Sequence, residues 1–192
     1  AGVIVLVTIV HSTSLKSGGA FQNIFTIIKI LLIIAFIVAG FVFTPEPQNV
    51  SIIPSSVTWS QVLSSGFAVS LIFVYYSYSG WNASAYFVSE LKNPAKNLPR
   101  SLIIGTLIVT VLYLLVNFIF LYVSPVSSLT GQLDIGAIVA GDIFGAKGGM
   151  IMSGLISLLL ISTISSMVFA GPRVIQVIGE DYPALSFIKR KG

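Results

Sequence analysis

An all-α integral membrane protein is the fold class this sequence predicts, and three observations predict it. Hydrophobic residues make up 55 % of the chain, and the mean hydropathy is +0.99. Charged residues are only 8 %, against roughly 25 % in a soluble domain, so there is too little polar surface to face water. Four apolar runs reach the ~20 residues that a helix needs to cross a bilayer.

The elements follow in chain order. The run "AGVIVLVTIV", residues 1–10, is too short to span, and it lacks the charged start and cleavage site of a signal peptide. It reads as the end of a helix that begins upstream. Spans are predicted at about 21–43, 67–88, 102–123 and 150–169, each roughly 30–35 Å long at about 1.5 Å per residue. Residues 44–66 are rich in Pro and Ser and carry no Lys or Arg. Residues 124–149 form a connector in which "LDIGAIVAGDIFG" is mildly amphipathic and predicts a short helix on the outer face. Residues 171–192 form a tail that stops abruptly at "FIKRKG". The whole reads as a single transmembrane piece of a larger protein.

Charge sets the topology. Of the ten basic residues, eight lie in alternate connectors: Lys16, then Lys92, Lys96 and Arg100, then Arg173, Lys189, Arg190 and Lys191. The intervening connectors carry Lys147 alone. Short basic loops are retained in the cytoplasm, so the tail and the connectors around Lys16 and Lys96 are predicted to be cytoplasmic. The net charge of +4 is spread between apolar runs, which fits a lipid bilayer and not a nucleic acid.

Several chemistries are excluded. There is no cysteine, so disulfides, iron–sulfur clusters and thiol catalysis are ruled out. His11 is the one histidine and cannot build a metal site alone. No GxxxxGK[ST] phosphate loop occurs. No metal or cofactor is therefore expected.

The third predicted span is the unusual one. Its centre carries Tyr76, Ser77, Tyr78, Ser79 and Gly80, followed by Trp81 and Asn82. Gly weakens a helix interior by about 1 kcal/mol, and Ser offers competing local hydrogen bonds. The segment is primed to unwind, and freed backbone groups must then line a protein cavity, because lipid cannot satisfy them. Broken helices of this kind build substrate sites in secondary transporters. Close helix packing through small residues accounts for the same composition.

The exit from that span carries a resemblance. The stretch "YSYSGWNASAYFVSELKNPAKNLPRSL" resembles the amino acid–polyamine–organocation superfamily, in which a broken sixth helix leads to an acidic residue and a K-N-P-x-x-N-L-P-like loop. The stretch "GGAFQNIFTIIKILLII" is similar to the fifth helix of such permeases, in its pattern Q-x-x-x-T-x-x-K at Gln22, Thr26 and Lys29. The Gly-Trp-Asn triplet places it near the L-type amino acid transporter branch. The resemblance covers the chain from the end of the family's fourth helix through its eighth.

The resemblance implies a bundle of two five-helix repeats of inverted topology with a discontinuous helix, and secondary transport of amino acids in the plasma membrane. It implies that Tyr76, Ser77, Tyr78, Ser79 and Gly80 hold the substrate's ammonium group through backbone carbonyls, and that Tyr76 closes over it as a gate. It implies that Lys29 stands in for a coupling sodium ion and supports proton coupling or exchange. The first helix, which would bind the substrate carboxylate, is absent from this sequence.

Each residue also has a plainer reading. Tyr76 and its neighbours would be packing residues. Asn82 either shapes the side-chain pocket or makes interhelical hydrogen bonds. Lys29 lies about eight residues into its span, roughly 12 Å deep, where its stem lets it snorkel. Charges at such depth otherwise mark pathways or relays. Ser162, Thr163, Ser165 and Ser166 are candidates for helix contacts or for an ion, with packing favoured. Asn117 reads as interhelical glue, and Glu90 and Lys92 as solvated. A polyamine permease and a non-transporting membrane subunit are the competing functions, but no acidic residue lies deep in a span to attract a polyamine.

Overall fold

The computed structural model describes residues 2–13, 15–51, 53–182 and 184–185. Lys189, Arg190 and Lys191 lie outside the described residues, as do the side chains of His11, Lys16 and Glu90. The described residues form α1 (Gly2–Thr13), α2 (Leu15–Phe43), α3 (Ser56–Val62), α4 (Ser65–Ser77), a 3-10 segment (Ser79–Glu90), α5 (Pro94–Val123), α6 (Val126–Leu129), α7 (Ile135–Phe144) and α8 (Ala146–Asp181). There is no strand among them.

Among the described residues, three helices are long and apolar enough to cross a membrane: Gly19–Phe43 within α2, Pro94–Val123 and Ala146–Asp181. α3 with the helix that follows makes a fourth candidate, bent by 67° at a short break. Large apolar side chains such as Ile27, Leu31, Ile104, Leu114 and Leu160 are exposed along the long helices. In a bilayer that exposure costs nothing, since lipid tails are as apolar as the side chains. The chain is an integral, multi-pass membrane protein.

The elements divide into two compact units, Ala1–Gln48 with Val109–Gly192, and Asn49–Ile108. The core lies in the first. Ile37 of α2, Ile119 and Val123 of α5, Leu129 of α6, and Val139 and Ile143 of α7 form one buried cluster. α2 and α5 approach closely because Gly40 has no side chain: a Cβ there would lie 2.5 Å from Ile119 Cγ2. Aromatic contacts extend the seam, with Phe36 against Phe120 and Phe41 against Phe118 and Tyr122.

The connector after α5 is folded, with α6 and α7 inside it, and polar ties hold it. Ser124, fully buried, donates from Oγ to Asp142 Oδ2 at 2.5 Å. Asp134 caps α7 by accepting from the Ala137 N–H at 3.3 Å, and it accepts from Ser153 Oγ of α8 at 3.0 Å. Gly145, at φ 77, makes the reversal that β-carbons disfavour. α8 then runs against α7 with glycines at the contact. A Cβ on Gly148 would lie 2.7 Å from the Ala140 carbonyl, and one on Gly149 would lie 2.9 Å from the Ala137 carbonyl. At Gly148 the Phe144 Cβ lies nearer still, and neither that atom nor a backbone carbonyl can swing away, so Gly148→Ala is expected to destabilise the protein by about 1–3 kcal/mol. Thermal unfolding of the detergent-purified complete permease measures this, and an unchanged midpoint would refute the tight α7–α8 contact.

Several boundaries differ from the sequence reading: α2 begins at Leu15, α5 at Pro94 and α8 at Ala146, each ahead of its predicted span. The segment predicted as one span at 67–88 is α-helical only to Ser77. α8 continues to Asp181, through Pro172, across the start of the stretch read as a tail.

Candidate functional site

The second unit holds the predicted substrate residues. Ser64 caps α4 by accepting from the Phe67 N–H at 3.2 Å. α4 then runs thirteen residues, to Ser77. Tyr78 leaves the α-helix at φ −96 and ψ 0, the sparsely populated bridge region where active-site residues often sit. The twelve residues Ser79–Glu90 follow in 3-10 geometry. Runs of that type longer than three or four residues are uncommon, because their hydrogen bonds are poorer.

The serines act on the backbone. Ser77 Oγ donates to the Val74 carbonyl at 2.8 Å, and Ser79 Oγ donates to the Tyr76 carbonyl at 2.8 Å. Both bonds fall on carbonyls in the last turns of α4, and the Tyr76 carbonyl also accepts a backbone N–H at the helix's C-cap. Tyr76 itself is 78 % exposed, and Asn82 is exposed. A Cβ built on Gly80 meets nothing within 4 Å. Trp81 lies beside Leu102, Ile103, Thr106 and Leu107 of α5.

The loop motif has a local physical account. Asn93 sits in the left-handed region at φ 50, which Asn tolerates better than most residues. Pro94 opens α5 at the position where its missing N–H is harmless. The Asn97 carboxamide reaches back to donate to the Lys92 carbonyl, and the Lys96 N–H bonds the Asn93 carbonyl at 3.0 Å. The K-N-P-x-x-N spacing thus builds a self-bonded turn that starts α5.

The first unit holds Lys29 and the serines of α8. Lys29 is partly buried on α2. Ser162 and Ser165 are fully buried, Ser166 is partly buried, and Thr163 is exposed. The structure brings Ser166 to Gln22 of α2, whose Nε2 donates to Ser166 Oγ at 2.6 Å. Ser166 Oγ in turn donates to the Ser162 carbonyl at 3.0 Å. α1 packs against both of these helices. Asn117 does not bridge helices: its Nδ2 bonds the Tyr113 carbonyl of its own helix at 2.8 Å. No group of three or more His, Cys, Asp or Glu able to hold a metal occurs among the described residues.

Sequence reasoning noted Gln22 only as a motif letter and missed its contact with α8. The available signal was its spacing: Gln22 and Lys29 lie seven residues apart, on one face of an otherwise apolar helix. The Ser124–Asp142 tie was missed as well, since Asp142 looked like the polar side of an amphipathic stretch.

Comparison with known proteins places the sequence in a family. The family model for amino acid permeases matches residues 1–189. The chain is 31 % identical over its full length to the mouse b(0,+)-type amino acid transporter 1, of which it covers 39 %. It is 32 % identical over 94 % of its length to the human b(0,+)-type amino acid transporter 1, covering 37 %. It is 27 % identical over 89 % of its length to the serine/threonine exchanger SteT of Bacillus subtilis, covering 38 %. The chain thus spans less than half the length of these relatives. No solved structure matches it significantly. With the family model covering nearly every residue, this chain belongs to the amino acid permease family.

Proposed function

We propose that the chain is the central part of a secondary amino acid transporter that works by alternating access, in a bundle of two inverted five-helix repeats. The substrate's amine is held at the break around 76–80, Tyr76 closes over it, and Asn82 shapes the side-chain pocket. Lys29 is the coupling cation, which suits a coupling proton or exchange. The basic connectors and the tail face the cytoplasm, and the plasma membrane is the setting. The relatives' names support an amino acid as substrate. Ser162, Thr163, Ser165 and Ser166 serve helix contacts.

The observation that carries this reading is the end of α4 at Ser77 and the 3-10 run after it. A zwitterion leaving water needs fixed dipoles in its place, and a broken helix offers carbonyls at membrane depth where only a cavity tolerates them. The test is uptake of radiolabelled amino acids into proteoliposomes holding the complete permease. Tyr76→Ala is expected to raise KM and slow turnover together, as for a lost gate. Tyr76→Phe is expected to be mild, since the ring does the closing. Parental kinetics for Tyr76→Ala would remove Tyr76 from the site.

A further inference from the structure

The polar contact between α2 and α8 contains more capacity than it uses. Gln22 Nε2 is bonded to Ser166, but Gln22 Oε1 and Ser162 Oγ are buried with no hydrogen-bond partner among the described residues. Ser162 is 0 % exposed. Buried polar side chains are nearly always bonded, so two orphans beside one contact require a reason. Other helical serines here donate back to the carbonyl four residues earlier, as Ser70, Ser101, Ser157 and Ser166 do. Ser162 makes no such bond, and its hydroxyl stays available.

Ser162 and Ser166 stand four residues apart, one above the other on the same face of α8. One helical turn, about 5.4 Å, separates them along the axis. Shifts of one packed helix past another by one turn are a known switching mode, because packed interfaces are bistable and not continuously deformable. We propose that Gln22 is a positioning residue of the transport cycle that seats alternately on Ser166 and Ser162, and so fixes two registers of α2 on α8. In the register seen here the carboxamide occupies Ser166, and Ser162 is the second seat. The shift carries Lys29, two turns along the same face of α2, by the same step. Further along the same helices, Leu32 and Ile33 of α2 and Ile156 and Leu159 of α8 line an apolar cavity of about 140 Å³. That apolar stretch offers a displaced carboxamide no partner, and the two serines are the seats the proposal assigns to it.

The proposal rests on the transporter reading, and on no particular role for Lys29 or for the helix break. Its test uses the complete permease in proteoliposomes, with thermal unfolding measured alongside. Ser162→Ala removes a hydroxyl that makes no bond here, so a static structural role predicts an unchanged or raised unfolding temperature and normal transport. A second seat predicts the same unfolding behaviour with turnover lowered about fivefold, the worth of one lost hydrogen bond, at unchanged KM. Gln22→Glu supplies a pH signature. A neutral carboxyl can donate to either serine, whereas an ionised one only accepts and so is held at Ser162, whose proton is uncommitted, and is lost from Ser166, whose proton bonds the Ser162 carbonyl. With one seat favoured, its turnover is expected to fall as pH rises while the parent's profile does not follow. Parental turnover for Ser162→Ala, or a parental pH profile for Gln22→Glu, would overturn the proposal and leave the transporter reading standing. A parent that takes up no amino acid would overturn the transporter reading and this proposal with it.

Discussion

Gly80→Leu in the complete permease is expected to abolish amino acid uptake while the protein stays folded and inserted. The structure makes this a clean substitution, because a Cβ at Gly80 meets nothing within 4 Å. A Cβ there creates no clash, and the Gly80 backbone is not left-handed. Loss of uptake would therefore report on whatever must enter that space. In the proposed site that is the substrate, whose amine has to approach backbone carbonyls, and only glycine lets backbone and ligand come so close. A misplacement of about 1 Å in a positioned complex is worth on the order of 100-fold in rate, so a leucine side chain is expected to exceed that. Ser77→Ala and Ser79→Gly are the controls. Their hydroxyls bond the Val74 and Tyr76 carbonyls, not the substrate, and both variants are expected to keep most uptake. Normal uptake by Gly80→Leu would withdraw the site from residues 76–80.

The second large effect is expected at Lys29. Lys29→Ala should leave no measurable uptake, with abundance and unfolding temperature at or above those of the parent. A lysine inside a span is costly to insert, and that cost is retained where a charge does work. Lys29 is partly buried and forms no hydrogen bond or ion pair with another described residue, so alanine removes no bond from the first unit. Lys29→Arg should also impair uptake, because a planar guanidinium does not replace a compact ammonium. A snorkelling lysine predicts the opposite pattern: arginine would serve as well, and alanine would transport normally. Uptake of a radiolabelled amino acid by Lys29→Ala across a range of external pH separates the two.

The long helices were the easiest part to read, since an unbroken apolar run in a chain with 8 % charge has one stable form in lipid. The end of α4 at Ser77, where 3-10 geometry takes over, was legible from residue type, because Ser and Gly weaken an α-helix wherever they sit. Its extent was not. Whether "WNASAYFVSE" winds as α or 3-10 depends on small differences in hydrogen-bond geometry, which propensity does not resolve. α6 and α7 were half legible: the amphipathic stretch announced a helix, but the bonds of Asp134 to Ser153 and of Ser124 to Asp142 join residues nearly twenty positions apart. Of the four α8 residues singled out, Ser162, Ser165 and Ser166 are buried or partly so and Thr163 is exposed. Composition treats all four alike, and the helix's rotation separates them.

Hydropathy, charge and motif spacing, all local properties, were enough to establish a multi-pass membrane protein, its helix order and its family. They suffice because the bilayer demands satisfied backbone and apolar surface from each span independently of its neighbours. The pairing of Gln22 with Ser166, 144 residues away, is a different kind of fact. So are the approach of α2 to α5 at Gly40 and of α7 to α8 at Gly148 and Gly149. Each depends on which face of one helix meets which face of another. An apolar helix presents many equivalent faces to lipid and to protein alike, and the choice among them falls to the packing of side chains contributed by distant parts of the chain.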